Sequence, residues 1–233
     1  MKKQCMVLGA ILCIAAISIQ AHAQPKANTW YGKADLGGSW MEDTEVKAIF
    51  GDEIGDDGDM EFDPGVRFGL GAGYNVTEWF AAEFELGMNW NEVDKMGGAR
   101  SLDAYWVNVP FLLNAKLQWP NATRLRPYIG AGIGGASSVL DIDHLTYETT
   151  EADVFISGSA SDVTFAWQGF AGVTFDINEY MSLGVEYRYQ WTESPDLDMD
   201  WGSYYYWGPW RDDRLEVDDI QSHSISLVFT YQF

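Results

Sequence analysis

Alternation of apolar and polar residues, repeated in eight separate segments, is the feature that most constrains how this chain can fold. In MSLGVEYRYQW, for example, Leu183 and Val185 fall on one face, whereas Glu186 and Arg188 fall on the other. A period of two residues is typical of a β-strand. The segments are about 10 to 15 residues long, which exceeds the usual soluble strand and is enough to cross a bilayer at a tilt. They span residues 30–40, 62–74, 79–90, 105–119, 125–138, 164–177, 181–191 and 225–233.

The connections between these segments indicate the topology. Three are short and turn-like, at 75–78, 120–124 and 176–180. The other four are long and acidic and span 41–61, 91–103, 140–162 and 193–219. Short turns on one side and long loops on the other are typical of an outer-membrane barrel. We therefore predict an all-β fold: an eight-stranded antiparallel transmembrane up-and-down barrel with short periplasmic turns and long acidic extracellular loops.

The energetics of burial decide which face meets lipid. If every strand slipped by one residue, its charged side chains would enter hydrocarbon, at about 2 to 4 kcal/mol for each basic group near the midplane. The charges concerned are Arg67, Glu83, Glu85, Lys116, Glu186 and Arg188. We expect the apolar faces to meet lipid and these six charges to face the lumen.

The interior of an eight-stranded barrel is just wide enough for side chains to fill it. The six lumen charges are therefore predicted to form a paired plug. A narrow porin-like channel, helped by glycines on the inward face, is the alternative. Gly130 to Gly135 also matches the dinucleotide pattern G-x-G-x-x-G, but no helical pattern follows it, so we interpret these glycines as part of a strand.

The first 23 residues have the pattern of a secretory signal peptide. Lys2 and Lys3 precede an apolar run at 6–19, and Ala21 and Ala23 form an A-x-A site. We predict cleavage after Ala23, which leaves residues 24–233 as the barrel domain. Both cysteines lie in the removed segment, so the mature protein is predicted to have no disulfide and no cysteine-based metal or redox site.

The acidic composition bears on two kinds of partner, nucleic acids and divalent cations. The formal net charge is -21 and becomes -23 when the two lysines of the signal are lost, which argues against nucleic-acid binding. We predict no cofactor. Calcium prefers clustered oxygen ligands, so weak divalent-cation binding by the acidic segments is an alternative to a solvated surface. The candidates are Asp52, Asp56, Asp57, Asp59, Asp196, Asp198 and Asp200.

An aromatic cluster stands in the last long connection, in the stretch WGSYYYWGPW. Exposed aromatic clusters usually mark contact surfaces, so this one is a candidate surface for an extracellular ligand or surface partner. The alternative is that the rings cover the barrel mouth or lie at the lipid interface. The candidate residues are Trp201, Tyr204, Tyr205, Tyr206, Trp207 and Trp210.

The C-terminal stretch ISLVFTYQF predicts the strand that closes the barrel against the first one. Aromatic residues at its final and third-last positions resemble the C-terminal signal of bacterial outer-membrane proteins. Phe229, Tyr231 and Phe233 are therefore the candidate assembly signal. This likeness implies the barrel assembly machinery as a partner.

Two longer stretches carry a family resemblance. NVPFLLNAKLQWPNATRLRPYIGAGIGG and WQGFAGVTFDINEYMSLGVEYRYQW resemble the eight-stranded outer-membrane barrels that include the opacity-type surface proteins and the OmpA transmembrane domain. The resemblance implies a location in the outer membrane of a Gram-negative bacterium, among outer-membrane lipid and lipopolysaccharide. Nothing follows the eighth strand, so no peptidoglycan-binding domain of the OmpA kind is expected.

Catalysis is not indicated by the residues. Outside the signal the histidines are His144 and His223, and no nucleophile, base and acid occur together at recognisable spacing. Ser222 and Ser224 flank His223, but neighbours in a strand point to opposite faces. We therefore expect a non-enzymatic surface protein with a structural or interaction role, and we keep a lipid A-modifying enzyme as a further alternative.

Overall fold

The computed structural model describes residues 26–49, 52–53, 58–96, 99–148, 153–203 and 214–233. The predicted signal peptide and its cleavage after Ala23 lie outside these residues. Where the chain is described, it has no helix with the length and apolarity to span a membrane. The described strands are β1 (Thr29–Met41), β2 (Thr44–Ile49), β3 (Asp52–Glu53), β4 (Asp59–Phe62), β5 (Gly65–Asn75), β6 (Phe80–Met96), β7 (Ala99–Gln118), β8 (Leu125–Glu148), β9 (Asp153–Asp176), β10 (Met181–Thr192), β11 (Asp196–Ser203), β12 (Arg214–Val217) and β13 (Ile220–Gln232).

Eight of these strands close into a ring, which we call the membrane ring. Its order is β1, β5, β6, β7, β8, β9, β10, β13 and back to β1, and every pair is antiparallel. The last strand closes the ring as predicted, since Leu36 of β1 lies between Leu227 of β13 and Phe68 of β5. A closed ring leaves no unpaired edge in lipid.

The three short connections fall at one end of the membrane ring, as predicted, and side chains close them locally. Thr77 accepts a hydrogen bond from the Phe80 backbone N–H through its Oγ1, at 3.0 Å. Asn178 Oδ1 accepts hydrogen bonds from the backbone N–H groups of Tyr180 and Met181, at 2.9 and 3.0 Å. Short polar side chains of this kind favour tight turns.

The apolar side chains of the membrane ring point outward, which confirms the predicted register. Leu36, Leu113 and Leu227 are 63%, 67% and 61% exposed. A continuous apolar band of this kind is stable when lipid surrounds it. Exposed tryptophans lie at both ends of the band: Trp30, Trp79 and Trp119 at the periplasmic end, and Trp40 and Trp90 at the extracellular end.

Beyond the membrane ring the wall continues as a second closed ring, which we call the outer ring. Its order is β6, β4, β2, β12, β11, β9, β8, β7 and back to β6. Interruptions at 42–43, 63–64, 193–195 and 218–219 separate the two rings on four strands. Backbone hydrogen bonds cross these interruptions, from the N–H of Glu42 to the carbonyl of Gln221 at 2.9 Å and from Asp63 to Glu92 at 3.0 Å. The outer ring is therefore a direct extension of the barrel wall.

The residue types on the two faces exchange where the rings meet. On β6 the buried face changes from Asn91 to Val93, while the exposed face changes from Trp90 to Glu92. The outer ring thus has an apolar interior and an acidic exterior, the arrangement expected in water. Its buried core consists of Met41, Val46, Met60, Val93, Met96, Ala104, Trp106, Leu140, Ile142, Ala160, Leu197, Leu215, Val217 and Ile220.

The long connections differ from the sequence-based prediction in one respect. They lie on the expected side of the barrel, but much of their length is strand rather than loop. The predicted loop 140–162, for example, is largely the outer part of β8 and β9. Its inward residues Leu140 and Ile142 alternate with outward Asp141 and Asp143. The 23 residues of this segment include six acids and six Ser or Thr residues, which make it polar overall and conceal its alternation.

Candidate functional site

The lumen of the membrane ring contains a dense charge network, and Glu85 is its centre. Its carboxylate accepts hydrogen bonds from Arg67 Nη2 at 2.6 Å, Lys33 Nζ at 3.2 Å and Asn114 Nδ2 at 3.2 Å. Arg188 Nη1 also donates to it. These residues come from five strands of the ring and are all buried. One carboxylate therefore connects most of the circumference of the lumen.

Two further carboxylates extend the network towards the periplasm. Glu83 accepts from the Tyr31 hydroxyl at 2.9 Å and from Lys33 at 3.3 Å. Glu186 accepts from the Tyr128 hydroxyl at 2.9 Å and from Lys33 at 3.4 Å. The Lys33 ammonium thus contacts Glu83, Glu85 and Glu186, which compensates for its removal from water.

The network continues on its other side through Arg67 and Arg188. Arg67 Nε donates to Asp35 Oδ1 at 3.1 Å. Arg188 Nη1 donates to Gln168 Oε1 at 2.6 Å, and Gln168 Nε2 donates in turn to Asn114 Oδ1 at 2.7 Å. A low-dielectric network with this many partners holds its side chains in one arrangement.

The structure brings together all six charges that the sequence placed in the lumen. Lys116 is the most peripheral of them, with its Nζ 3.7 Å from Glu83 and 4.3 Å from the centre of the Tyr31 ring. The network also includes residues that the sequence pattern did not assign to it: Lys33, Asp35, Tyr31, Tyr128, Asn114 and Gln168. Lys33 and Asp35 could have been found, since they alternate on the polar face of β1.

A layer of neutral polar side chains lies between the charges and the outer core. Gln190 Nε2 donates to Asn108 Oδ1 at 2.6 Å, and Asn89 Nδ2 donates to Gln190 Oε1 at 3.3 Å. Asn108 Nδ2 also donates to Ser138 Oγ at 3.1 Å. Above this layer the apolar core of the outer ring begins. The lumen therefore contains, from the periplasm outward, a charged layer, an amide layer and an apolar layer.

The periplasmic end of the lumen is a narrow vestibule with a cavity volume of about 30 Å³. Lys116, Tyr31, Tyr128 and Gln118 line its wall, together with Arg126. Glu186 and Lys33 also line it, so the vestibule reaches the charge network. It is the part of the described lumen that most resembles the entrance of a pore.

The candidate cation ligands are only partly described. Asp56 and Asp57 lie outside the described residues, and the side chains of Asp52, Asp198 and Asp200 are not described. Asp59 is exposed on β4. In the part of the chain that the structure describes, no group of three or more His, Cys, Asp or Glu side chains could hold a metal ion. Cation binding stays a prediction.

The aromatic cluster and the assembly signal differ in how far the structure places them. Residues 204–213 lie outside the described chain, so Tyr204, Tyr205, Tyr206, Trp207 and Trp210 have no described position, and only the backbone of Trp201 on β11 is described. Phe229, Tyr231 and Phe233 are exposed on the outward face at the C-terminus. Their role in assembly remains a prediction.

His223 has partners that the sequence did not indicate. Its Nε2 lies 2.8 Å from Glu42 Oε1, and its Nδ1 lies 2.7 Å from the Tyr187 hydroxyl. Ser222 and Ser224 are buried on the opposite, inward face of β13. His144 lies on β8, but its side chain is not described. The glycines at 130–135 are also part of β8, as predicted.

The family model for the outer membrane protein beta-barrel domain matches residues 9–233. The chain belongs to this family. The membership agrees with the closed ring and the apolar outer band, and the protein is an outer-membrane β-barrel of the Gram-negative type.

Two curated relatives are similar to this chain in sequence, and one solved structure is similar to it in fold. An uncharacterized protein of Brucella abortus is 24% identical, over 81% of this chain and 82% of that protein. Outer membrane protein A of Escherichia coli O157:H7 is 28% identical, over 81% of this chain and 55% of that protein. The crystal structure of OprG from Pseudomonas aeruginosa matches with a TM-score of 0.58 at 15% identity, over 93% of this chain and 99% of that one.

Proposed function

We propose that this barrel is a non-enzymatic surface protein with a closed lumen, and that its role is structural and interactive. The observation that carries the proposal is that side chains fill the lumen of both rings. The membrane ring contains a hydrogen-bonded charge network, and the outer ring contains a packed apolar core. An ion crossing the lumen would have to separate the ion pairs of the charge network and then enter the apolar core. Both steps cost free energy.

Ion conductance tests the closed lumen directly. Refolded mature protein in a planar bilayer is expected to produce no current steps. Glu83→Ala is expected to stay silent as well, because the apolar core above the charges is unchanged. Asp94→Ala, an exposed position on β6, is the matched control. Reproducible steps whose size changes with Glu83→Ala would instead indicate the narrow porin-like channel, entered through the periplasmic vestibule.

The absence of catalysis is proposed from the surroundings of His223. Its two ring nitrogens are paired with Glu42 and Tyr187, and the neighbouring serines are on the other face of the wall. Lipid A from cells that express the protein is expected to have the same mass as lipid A from cells without it. A mass change that disappears in His223→Ala would contradict the proposal in favour of a lipid A-modifying enzyme.

The interactive part of the proposal concerns the outward segments. We expect the aromatic segment 201–210 and the acidic exterior of the outer ring to contact an extracellular ligand or surface partner. Deletion of 204–210 should remove surface binding while the barrel still folds. No cofactor is proposed, and isothermal titration with calcium should give no specific binding heat.

The last strand and the outward face of the barrel also have proposed partners. The barrel assembly machinery is the proposed reader of Phe229, Tyr231 and Phe233, and lipopolysaccharide is the proposed outer-leaflet neighbour. Removal of Phe233 should lower the amount of barrel in the outer membrane, whereas Val228→Ala, an inward position on the same strand, should not. An equal effect of the two changes would count against a terminal signal.

A further inference from the structure

The wall of the barrel has a groove at the point where β4 ends and β5 begins. Asp63 and Pro64 interrupt the strand there, and the pairing with β6 shifts register at Phe62. Pro64 has no N–H for the ladder. Gly65 lies so close to the Trp90 carbonyl that any side chain at position 65 would collide with it. The backbone therefore lies closer to β6 at this point, and the outer surface of the wall is concave.

The groove is lined by a compact set of side chains with complementary chemistry. A cavity of about 200 Å³ lies among Pro64, Val66, Trp90, Glu92 and Tyr105. It is smaller than the roughly 300 to 1,000 Å³ of sites that enclose a whole small molecule, so it suits part of a larger ligand. The rings of Trp90 and Tyr105 are 5.4 Å apart and tilted by 35°. Two aromatic faces thus stand beside one exposed carboxylate.

The position of the groove points to what occupies it. Val66 and Trp90 are 46% and 45% exposed and belong to the lipid-facing band, whereas Glu92 is the first acid above that band on β6. The groove is continuous with the lipid interface at its lower edge and reaches the headgroup level at its upper edge. Trp and Tyr are suited to such a boundary, because each has an apolar body and a polar tip.

The chemistry of the lining selects the kind of headgroup. Flat aromatic faces pack well against the C–H faces of a sugar ring, and a carboxylate accepts hydrogen bonds from sugar hydroxyl or amide groups. A phosphate is disfavoured, because Glu92 and the exposed carboxylates of Asp63 and Asp103 repel it. We propose that this groove binds the sugar headgroup of an outer-leaflet glycolipid, whose acyl chains continue down the wall over Val66.

Retention of defined lipids tests the proposal. The mature protein would be refolded into nanodiscs that contain equal amounts of glucosyl-diacylglycerol and phosphatidylglycerol with the same acyl chains, and bound lipid would be counted by native mass spectrometry. The glucosyl lipid is expected to be retained about tenfold more than phosphatidylglycerol. A preference of this size corresponds to the free energy of about one charge-assisted hydrogen bond. Equal retention, or preference for phosphatidylglycerol, would overturn the proposal.

Two variants and two matched controls separate the groove from the lipid band in general. Trp90→Leu and Glu92→Gln should each reduce the preference for the glucosyl lipid to nearly none. Trp40→Leu changes a similarly exposed tryptophan of the same girdle, and Glu193→Gln changes an exposed acid in the interruption between β10 and β11. Both controls should retain the preference. All four positions face outward, so the barrel should fold, and a heat-dependent gel shift would verify that it has. Loss in a control as large as in the variants would also overturn the proposal.

Discussion

The membrane ring and the outer ring share one continuous wall, but lipid surrounds the first and water surrounds the second. The membrane ring has an apolar exterior and a lumen of charges, with Glu85 at the centre. The outer ring has an exterior of acids and an interior of buried apolar residues around Trp106. The in–out alternation of β6 continues through the join without a shift, and only the residue types exchange. The solvent around each ring therefore decides which residue types face outward, and the opposite residue types fill the interior.

Removal of the central acid should have the largest effect, and it should be confined to the membrane ring. Glu85→Ala leaves Arg67, Arg188 and Lys33 without their shared acceptor, and a buried pair broken on one side costs about 3 to 5 kcal/mol. The measurement is the free energy of unfolding in lipid vesicles by urea titration. Asp94→Ala, exposed on the same strand, should change it by no more than about 0.5 kcal/mol. Equal effects would mean that the network contributes no stability.

A cavity in the core of the outer ring should lower stability by the same amount as Glu85→Ala or by less. Its effect should be confined to the outer ring. Leu140 is fully buried in the outer core, and Leu→Ala changes at such sites cost about 2 to 5 kcal/mol. Leu140→Ala should make the extracellular strands sensitive to added protease, while the membrane ring keeps its heat-dependent gel shift. Val139→Ala, which points outward next to it, is the control. If both rings lost resistance together, they would have to be regarded as a single cooperative unit.

The same basic substitution on the two exteriors should give opposite outcomes. Leu113→Arg places a charge in the lipid-facing band and should cost about 2 to 4 kcal/mol of unfolding free energy. Asp141→Arg places it on the exterior of the outer ring, where water solvates it, and should cost about 0.5 kcal/mol or less. Urea titrations in vesicles would compare the two. A similar cost at both positions would show that the lipid boundary does not lie between the rings.

The smallest expected effect concerns an ion pair at the join between the rings. Lys47 Nζ donates to Asp218 Oδ1 at 2.9 Å, and the Asp219 backbone N–H also donates to that carboxyl. These hydrogen bonds hold the pKa of Asp218 below its ordinary value. The pair therefore stabilises the fold above the ordinary pKa of an aspartate, and this contribution is lost as the pH falls through the lowered value.

Both partners of this pair are largely exposed, so the contribution is limited to about 0.2 to 1 kcal/mol. Asp218→Asn should remove it at neutral pH, and the difference from the unchanged protein should vanish in acid. Carboxyl carbon chemical shifts would follow the titration of Asp218, with Lys47→Met as the second variant. A titration midpoint that does not rise in Lys47→Met would contradict the pairing.

The sequence predicted the membrane ring well and the outer ring poorly, for a physical reason. A long strand between lipid and a polar lumen needs strict alternation, so the segment 79–90 is recognisable on its own. The partners of Lys33 depend instead on register around the whole ring, and its contact with Glu186 joins residues 153 positions apart. β2 and β4 are only 6 and 4 residues long, too short for a pattern to distinguish them from acidic loops.

The length of β8 and β9 determines how far the protein projects from the cell. Each has 24 residues, which corresponds to a strand of about 80 Å and, at a tilt of roughly 40°, a height of about 60 Å. The hydrocarbon core of a bilayer is only about 30 Å thick. About half of the wall therefore stands clear of the hydrocarbon as a stiff acidic tube. A cationic molecule that approaches the cell therefore meets the acidic exterior of the outer ring well before it reaches the bilayer. The rigid wall holds these acids at a fixed distance from the lipid.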